Sequence, residues 1–276
     1  MLFAKRSLFF VLWLFAFALG MGPCIANDSV EFFILICSYN NAQWCKKNLD
    51  SVFRQTYRRW KIYYIDACST DGTGEIVDAY IQKRGFSRKC TVVHKTTRTS
   101  ASENFYYAIK DCDPHKVVVQ LDGDDWLPHS RALEKVATAY KDPSVWMTYG
   151  SYRTLPPVYV GPQMAYPEDV KKDCSFRQYR WLYAPLRTFY AALFHKIPME
   201  EFLDEGRFIK VTHDMAFGFP LLEMASKGHS RFIIQALYMY NYSNPMSDFR
   251  SARQEQYRVE RLVRSRPSYT PLDTLF

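Results

Sequence analysis

The chain has 276 residues, a net charge of +8 and 48% hydrophobic residues, enough for one large domain and too apolar for global disorder. The excess charge gathers in one place: residues 250–266 carry Arg250, Arg253, Arg258, Arg261, Arg264 and Arg266 against Glu255 and Glu260. One basic tail is not the footprint of a nucleic-acid-binding face, and no nucleic acid partner is expected.

Lys5 and Arg6 precede an apolar run from Leu8 to Leu19, and Cys24-Ile25-Ala26 ends it with small residues. This is a targeting pattern over residues 1–26, read as a cleaved signal peptide or, alternatively, a signal anchor. The run is shorter than the ~20 residues a spanning helix usually needs. Export to a periplasm or an ER/Golgi lumen is expected, with membrane association through residues 8–20 if the segment is kept. Six of the seven cysteines follow it, with no CxxC pair and no Cys/His cluster at zinc-ligand spacing. The folded part is expected to begin near Asp28 and to form a single domain to residue 276.

Glu31 to Cys37 reads as a buried strand ending in the polar loop Ser38-Tyr39-Asn40-Asn41, and Ala42 to Phe53 as a helix. Trp60 to Ile65 is a second strand, ending in Asp66-Ala67-Cys68-Ser69-Thr70-Asp71-Gly72-Thr73. Thr73 is placed to cap a helix over 74–82. Thr91 to His94 is a short strand and Ser100 or Ala101 to Ile109 a helix. Then Val117-Val118-Val119-Gln120-Leu121 runs straight into Asp122-Gly123-Asp124-Asp125. Pro128 opens a helix to about Tyr140, and Val145 to Tyr149 is a strand. Residues 154–173 form a loop folded against the domain. Further expectations are a helix over 176–182, a strand over 188–194, a short helix over 198–203, a helix over 214–225, a strand over 232–240 and a final helix over about 248–264.

The alternation of strands and helices in the first half means a mostly parallel central sheet with helices on both faces, an α/β fold. Such sheets bind ligands beyond the carboxyl ends of their strands. Three loops meet there: 38–41, 66–71 and 122–125. Acids as close as Asp122 and Asp124 repel one another unless a cation lies between them, and Gly123 lets the backbone turn tightly enough to aim both at one hard divalent ion. The plainer alternative is a solvated Asp/Gly turn.

Tyr39-Asn40, Asp66 with Ser69-Thr70-Asp71-Gly72-Thr73, and Asp122-Gly123-Asp124-Asp125, each after a strand in this order, resemble family 2 glycosyltransferases. The resemblance covers roughly residues 31–150 well and the remainder more weakly. It implies a GT-A fold, a metal-dependent transfer of a sugar from a nucleotide-diphosphate donor (UDP-linked before GDP-linked), and an acceptor hydroxyl on a glycan, lipid or protein. It implies that Tyr39, Asn40 and Asp66 line the nucleotide pocket, that Arg98 and Asn104 lie near the donor, and that Asp122 and Asp124 hold Mn²⁺ or Mg²⁺. The general base matches Asp214, and a single displacement with inversion follows if Asp214 fills that role. The pattern departs at Ala67, where a second acid is common, and at His213, where a Glu is common. Those departures favour the alternative of an inactive glycan- or nucleotide-binding module on the same fold. A phosphotransferase or nuclease is disfavoured by the lack of a Gly-rich phosphate loop and of a second carboxylate cluster. Trp181 or Tyr183 offers a ring for a sugar to stack on, and Arg258, Arg261 and Arg264 either close over the diphosphate or form a solvated face.

Overall fold

A computed structural model describes residues 30–245 and 252–276. The expected leader over 1–26 and the start of the expected final helix, residues 248–251, lie outside the described residues. No described helix is long and apolar enough to cross a membrane.

Apolar runs without polar alternation form strands covered on both faces; strands β1 (Phe32–Ser38) and β4 (Val117–Gln120) follow that rule, and β2 (Trp60–Asp66) does so except at the exposed Lys61. Phe32, Ile34 and Ile36 of β1 pack with Leu49 and Val52 of helix α1 (Cys45–Phe53), with Val77 and Ile81 of α2 (Thr73–Lys83), and with Leu133 and Val136 of α4 (Ala132–Ala139). Leu35 of β1 and Val118 of β4 point to the other face. There they meet Phe105 and Ile109 of α3 (Ala101–Lys110) and the apolar side chains of α7 (His213–Met224). Every residue of α7 from Met215 to Met224 is buried, the state expected of a helix with no polar face.

The remaining strands are β3 (Cys90–His94), β5 (Met147–Leu155), β6 (Ala184–Tyr190), the short pair β7 (Leu203–Asp204) and β8 (Arg207–Phe208), and β9 (Ser230–Asn241). The main sheet has seven strands in the order β3-β2-β1-β4-β6-β5-β9. All its neighbours are parallel except β6, which runs antiparallel to both β4 and β5. The mostly parallel sheet with helices on both faces is therefore as the sequence implied. Because only β6 is reversed, the ends of β1, β2, β4, β5 and β9 all emerge at one edge. Register fixes their level: Ser38 stands opposite Asp66, Leu35 opposite Gln120, and Leu155 opposite Asn241.

Two expectations are corrected. The apolar run 188–194 is not one strand: it closes β6 at Tyr190 and turns into the short helix α6 (Ala191–His195), since an apolar run alone does not fix a period. The helix expected over 176–182 is absent, and the short helix α5 (Glu168–Lys172) lies earlier, inside the stretch read as loop. Here side chains replace helical hydrogen bonds. The Leu182 N–H donates to the Tyr166 hydroxyl at 2.9 Å, and Arg177 is drawn into the core, where Nε and Nη2 reach Glu223 at 2.6 and 2.9 Å.

That pair is almost wholly buried, at 1% and 0% side-chain exposure. Arg177 also donates to the Val263 carbonyl at 2.6 Å, and Glu223 accepts the Tyr269 N–H at 2.9 Å. They thereby tie α7 to the last helix, α8 (Arg253–Arg264), whose apolar face is Val259 and Val263. Glu223→Ala is expected to lower stability by about 3–5 kcal/mol by stranding the guanidinium, whereas Arg177→Met with Glu223→Leu restores most of it. Urea unfolding of the single and double variants checks this.

Candidate active site

The edge at which β1, β2 and β4 end is built by side chains that staple one loop to the next. Asn40 takes a left-handed backbone (φ 52°), which Asn tolerates better than most residues. Its N–H donates to Ser69 Oγ at 2.9 Å and its Oδ1 accepts the Thr70 N–H at 2.8 Å. Asp71 Oδ2 accepts the Ala42 N–H at 3.0 Å, and its Oδ1 accepts the N–H and hydroxyl of Thr73 at 3.0 and 2.5 Å. The N-cap position of α2 is therefore Gly72, not Thr73, and Asp71 satisfies the first helical N–H from just outside the helix. Thr73 is the first helical residue, and its own hydroxyl accepts the Asn41 N–H at 2.8 Å. Asp66 is 5% exposed at the end of β2 and accepts the Ser69 hydroxyl. Asn40 and Asp66 thus belong to one hydrogen-bonded unit.

Tyr39 is half-buried, with the Arg98 guanidinium 3.7 Å from its ring centroid, so the loop before α3 leans on the loop after β1. Asn104 is 2% exposed beneath that loop. Its Oδ1 accepts the Thr99 hydroxyl at 2.9 Å, while its buried Nδ2 has no partner among the described residues. The structure thus groups Tyr39, Arg98 and Asn104, with Asn104 underneath and Arg98 exposed.

The acidic turn sits beside them. The Gly123 N–H reaches the Cys37 carbonyl at 3.2 Å, and a Cβ on Gly123 would lie 2.6 Å from Ser38 Oγ and 2.9 Å from Asn41 Nδ2. Both neighbours are buried and bonded to each other, so neither yields easily. Gly123→Ala is expected to cost about 1–3 kcal/mol by overpacking, read as a fall in the thermal midpoint. From α1, Asn48 Nδ2 donates to the carbonyls of Asp122 and Asp125 at 2.9 and 2.8 Å and fixes the turn from behind.

The three acids do not share one environment. Asp125 is 1% exposed and turned inwards, where its Oδ1 accepts the Asn241 N–H at 2.6 Å. Burial, and then the charges of Asp124 and Asp122, push its carboxyl well above the usual carboxylate range. Asp122 and Asp124 are only partly covered. Asp122 accepts the Tyr238 hydroxyl at 3.1 Å and Gln120 Nε2 at 3.4 Å, and Asp124 accepts Asn244 Nδ2 at 2.7 Å. No group of three or more His, Cys, Asp or Glu side chains is placed to hold a metal among the described residues. Two carboxylates still suit Mg²⁺ or Mn²⁺, hard ions that keep several waters and take further oxygens from a phosphate ligand.

The other half of the site comes from β6 and α7. Thr212 holds φ 59°, an outlier for a β-branched residue, and sets the chain's entry to α7. Asp214 follows in the first turn. Its Oδ1 accepts the Met215 N–H at 3.1 Å and its Oδ2 accepts Arg187 Nη2 at 2.6 Å. Arg187, 8% exposed on β6, also donates to the Tyr183 carbonyl at 2.8 Å and to Gln120 Oε1 at 3.3 Å. A polar chain thus runs Asp122–Gln120–Arg187–Asp214. Asp122 and Asp214 both line an open cleft of about 690 Å³, together with Arg187 and several aromatic residues.

The pairing of Arg187 was not legible in the sequence, nor were the roles of Gln120, Asn48 and Tyr238, because all depend on contacts between elements distant in the chain. His213 packs near the rings of Phe105 and Phe217 at 5.8 and 6.2 Å. Tyr183 is fully buried, so of the two candidate stacking rings Trp181 is the one in the cleft. In the basic tail, Arg258 pairs with Asp204 and Glu255 at 2.6 and 2.7 Å. Arg264 pairs with Glu260 at 2.8 Å and donates to the carbonyls of Arg177 and Tyr179. These two arginines anchor α8, while Arg253, Gln256, Tyr257 and Glu260 of the same helix face the cleft.

A mostly parallel seven-stranded sheet with helices on both faces and this strand order is a fold of GT-A type. The sequence pattern of glycosyl transferase family 2 matches residues 33–199, more than half the chain, and the protein belongs to that family. No curated protein sequence matches it. The fold is similar to that of S. aureus TarS 1–349 in complex with UDP-GlcNAc, at TM-score 0.62 and 14% identity over 85% of this chain and 65% of that one. It is also similar to the mannosyltransferase PcManGT of Pyrobaculum calidifontis in complex with GDP-Man and Mn²⁺ (TM-score 0.56, 19% identity, 87% and 66% covered). A third likeness is to glucosyl-3-phosphoglycerate synthase of Mycobacterium tuberculosis, with Mn²⁺, UDP and glucosyl-3-phosphoglycerate (TM-score 0.57, 13% identity, 90% and 83% covered). The chain spans 64% of the TarS 1–349 structure.

Proposed function

We propose that the protein is a metal-dependent, inverting glycosyltransferase that moves a sugar from a nucleoside diphosphate donor, UDP-linked, to an acceptor hydroxyl. The observation that carries this reading is that Asp122 and Asp214, 92 residues apart in sequence, line the same cleft. The solved structures of similar fold include complexes with UDP-GlcNAc and with GDP-Man and Mn²⁺, which supports the donor class. Asp66, Tyr39 and Arg98 hold the nucleotide end in this reading, and Asp122 and Asp124 hold Mn²⁺ or Mg²⁺. When bound, that ion supplies positive charge beside the diphosphate as negative charge develops on it.

The remaining chemistry belongs to the chain. Asp214 takes the proton of the acceptor hydroxyl, whose oxygen forms a bond to the anomeric carbon while the bond to the diphosphate breaks. The departing diphosphate keeps the electron pair, and attack from the opposite face inverts the anomeric centre. A carboxylate has about four lone-pair sites, so the two hydrogen bonds to Asp214 leave capacity for that proton. Arg187 fixes the direction of the carboxylate. Export of the chain through residues 1–26 belongs to the same proposal and rests on their sequence.

A thermal-shift panel of UDP- and GDP-sugars with and without Mn²⁺, followed by a donor-turnover assay, tests the reading. Stabilisation by a UDP-sugar that needs the metal, with donor consumed, is the expected result. Binding without consumption would instead identify a binding module.

A further inference from the structure

The cleft beside Asp214 does not end at Trp181. A second open depression of about 560 Å³, lined by Gln163, Met164, Arg180 and Leu182, shares Pro162 and Trp181 with it. Each volume alone is in the range of ~300–1,000 Å³ typical of a small-ligand site, and the two adjoin at Pro162 and Trp181, together termed the trough. Its walls have a consistent chemistry. Tyr159 and Tyr257 stand 51% and 52% exposed at the rim of the first part, Tyr257 with Arg253 Nε 3.2 Å from its hydroxyl. Gln256 and Glu260 supply an amide and a carboxylate on the same helix.

We propose that this trough binds the acceptor and that the acceptor is a saccharide of at least two units, its reacting end at Asp214 and its next unit at Trp181. The proposal rests on the transferase reading above. A sugar ring has an apolar C–H face and a hydroxyl rim. Aromatic side chains with a polar edge match the first, and planar guanidinium, amide and carboxylate groups match the second. A lipid chain would offer nothing to the Gln256 amide and would desolvate the Arg253–Tyr257 and Glu260–Arg264 pairs on the same wall, at a cost for each polar group covered.

The test uses the full chain, Mn²⁺, the donor selected by the thermal-shift panel, and labelled gluco-, manno-, galacto- and chito-oligosaccharides of one to four units. Vesicles containing polyprenyl phosphate form a parallel arm. Transfer to a di- or longer saccharide with kcat/KM roughly tenfold or more above the monosaccharide is expected. Tyr257→Ala and Trp181→Ala should raise KM for the longer acceptor by about tenfold, with little change in kcat, an effect of the size expected for losing an aromatic contact. Trp181 packs on Phe219, with ring centroids 4.9 Å apart, so its variant risks misfolding, but Tyr257 is a surface side chain and its variant keeps the test decisive. Transfer independent of acceptor length, transfer to the vesicles alone, or donor turnover without any saccharide product would overturn the proposal. Absence of both donor binding and donor turnover would overturn the transferase reading instead.

Discussion

Asp214→Asn is expected to lower the transfer rate by roughly 10²–10⁴-fold, the range a positioned general base contributes, while donor affinity changes little. The substitution keeps shape and removes the charge that receives the proton. It also weakens the 2.6 Å contact with Arg187, so a structural role must be separated from a chemical one. Arg187→Lys provides that separation. It retains a cation but loses the forked geometry that reaches Tyr183, Gln120 and Asp214 together. If the carboxylate only anchors the guanidinium, the two variants should lose rate and thermal stability in parallel. If it is the base, Asp214→Asn loses far more rate than Arg187→Lys at similar stability. Rates measured at saturating donor, set beside thermal midpoints, decide the matter.

The second large effect is on the acidic turn. Asp122→Asn and Asp124→Asn are each expected to cost roughly 10²–10³ in rate, in line with removal of one electrostatic group that acts on the leaving charge. Unlike the base variant, they should also abolish the dependence of donor binding on Mn²⁺. Asparagine preserves the hydrogen bonds that Tyr238 and Asn244 make to these positions through its carbonyl oxygen, so the turn is expected to stay folded. Titration of a UDP-sugar with and without Mn²⁺ checks this, and wild-type turnover in either variant would refute the metal role.

Much of this arrangement could be read before any coordinates. Buried strands announce themselves by unbroken apolar runs, and loops after parallel strands must share an edge, so residues 38–41, 66–71 and 122–125 were brought together correctly from a one-dimensional pattern. What escaped notice depends on partners without a sequence period. Arg177 and Glu223 lie 46 residues apart, and nothing local says that an arginine in an apolar stretch will enter the core and displace a helix. Arg187 was similar. Its strand was read from 188 to 194, so the residue that anchors Asp214 fell just outside the expected element, although β6 begins at Ala184. The cap of α2 went to Thr73 because its residue type suits a cap, whereas the left-handed Gly72 holds the N-cap position and Asp71 reaches the Thr73 N–H from outside the helix.

The reversed strand β6 has one more consequence. It lies between β4, which delivers the acidic turn, and β5 and β9, whose ends border the trough. The residues matched by the family pattern stop at 199, whereas Asp214, the end of β9 and all of α8 come later in the chain. The later stretch nevertheless reaches back to the acidic turn: Tyr238 bonds Asp122, the Asn241 N–H bonds Asp125 and Asn244 bonds Asp124, beside the polar chain through Arg187. Exchanging the segment after residue 199 for that of another member would therefore disturb partners of all three acids, and a new acceptor is better sought by changing single side chains of the trough, such as Trp181 before that point and Tyr257 after it.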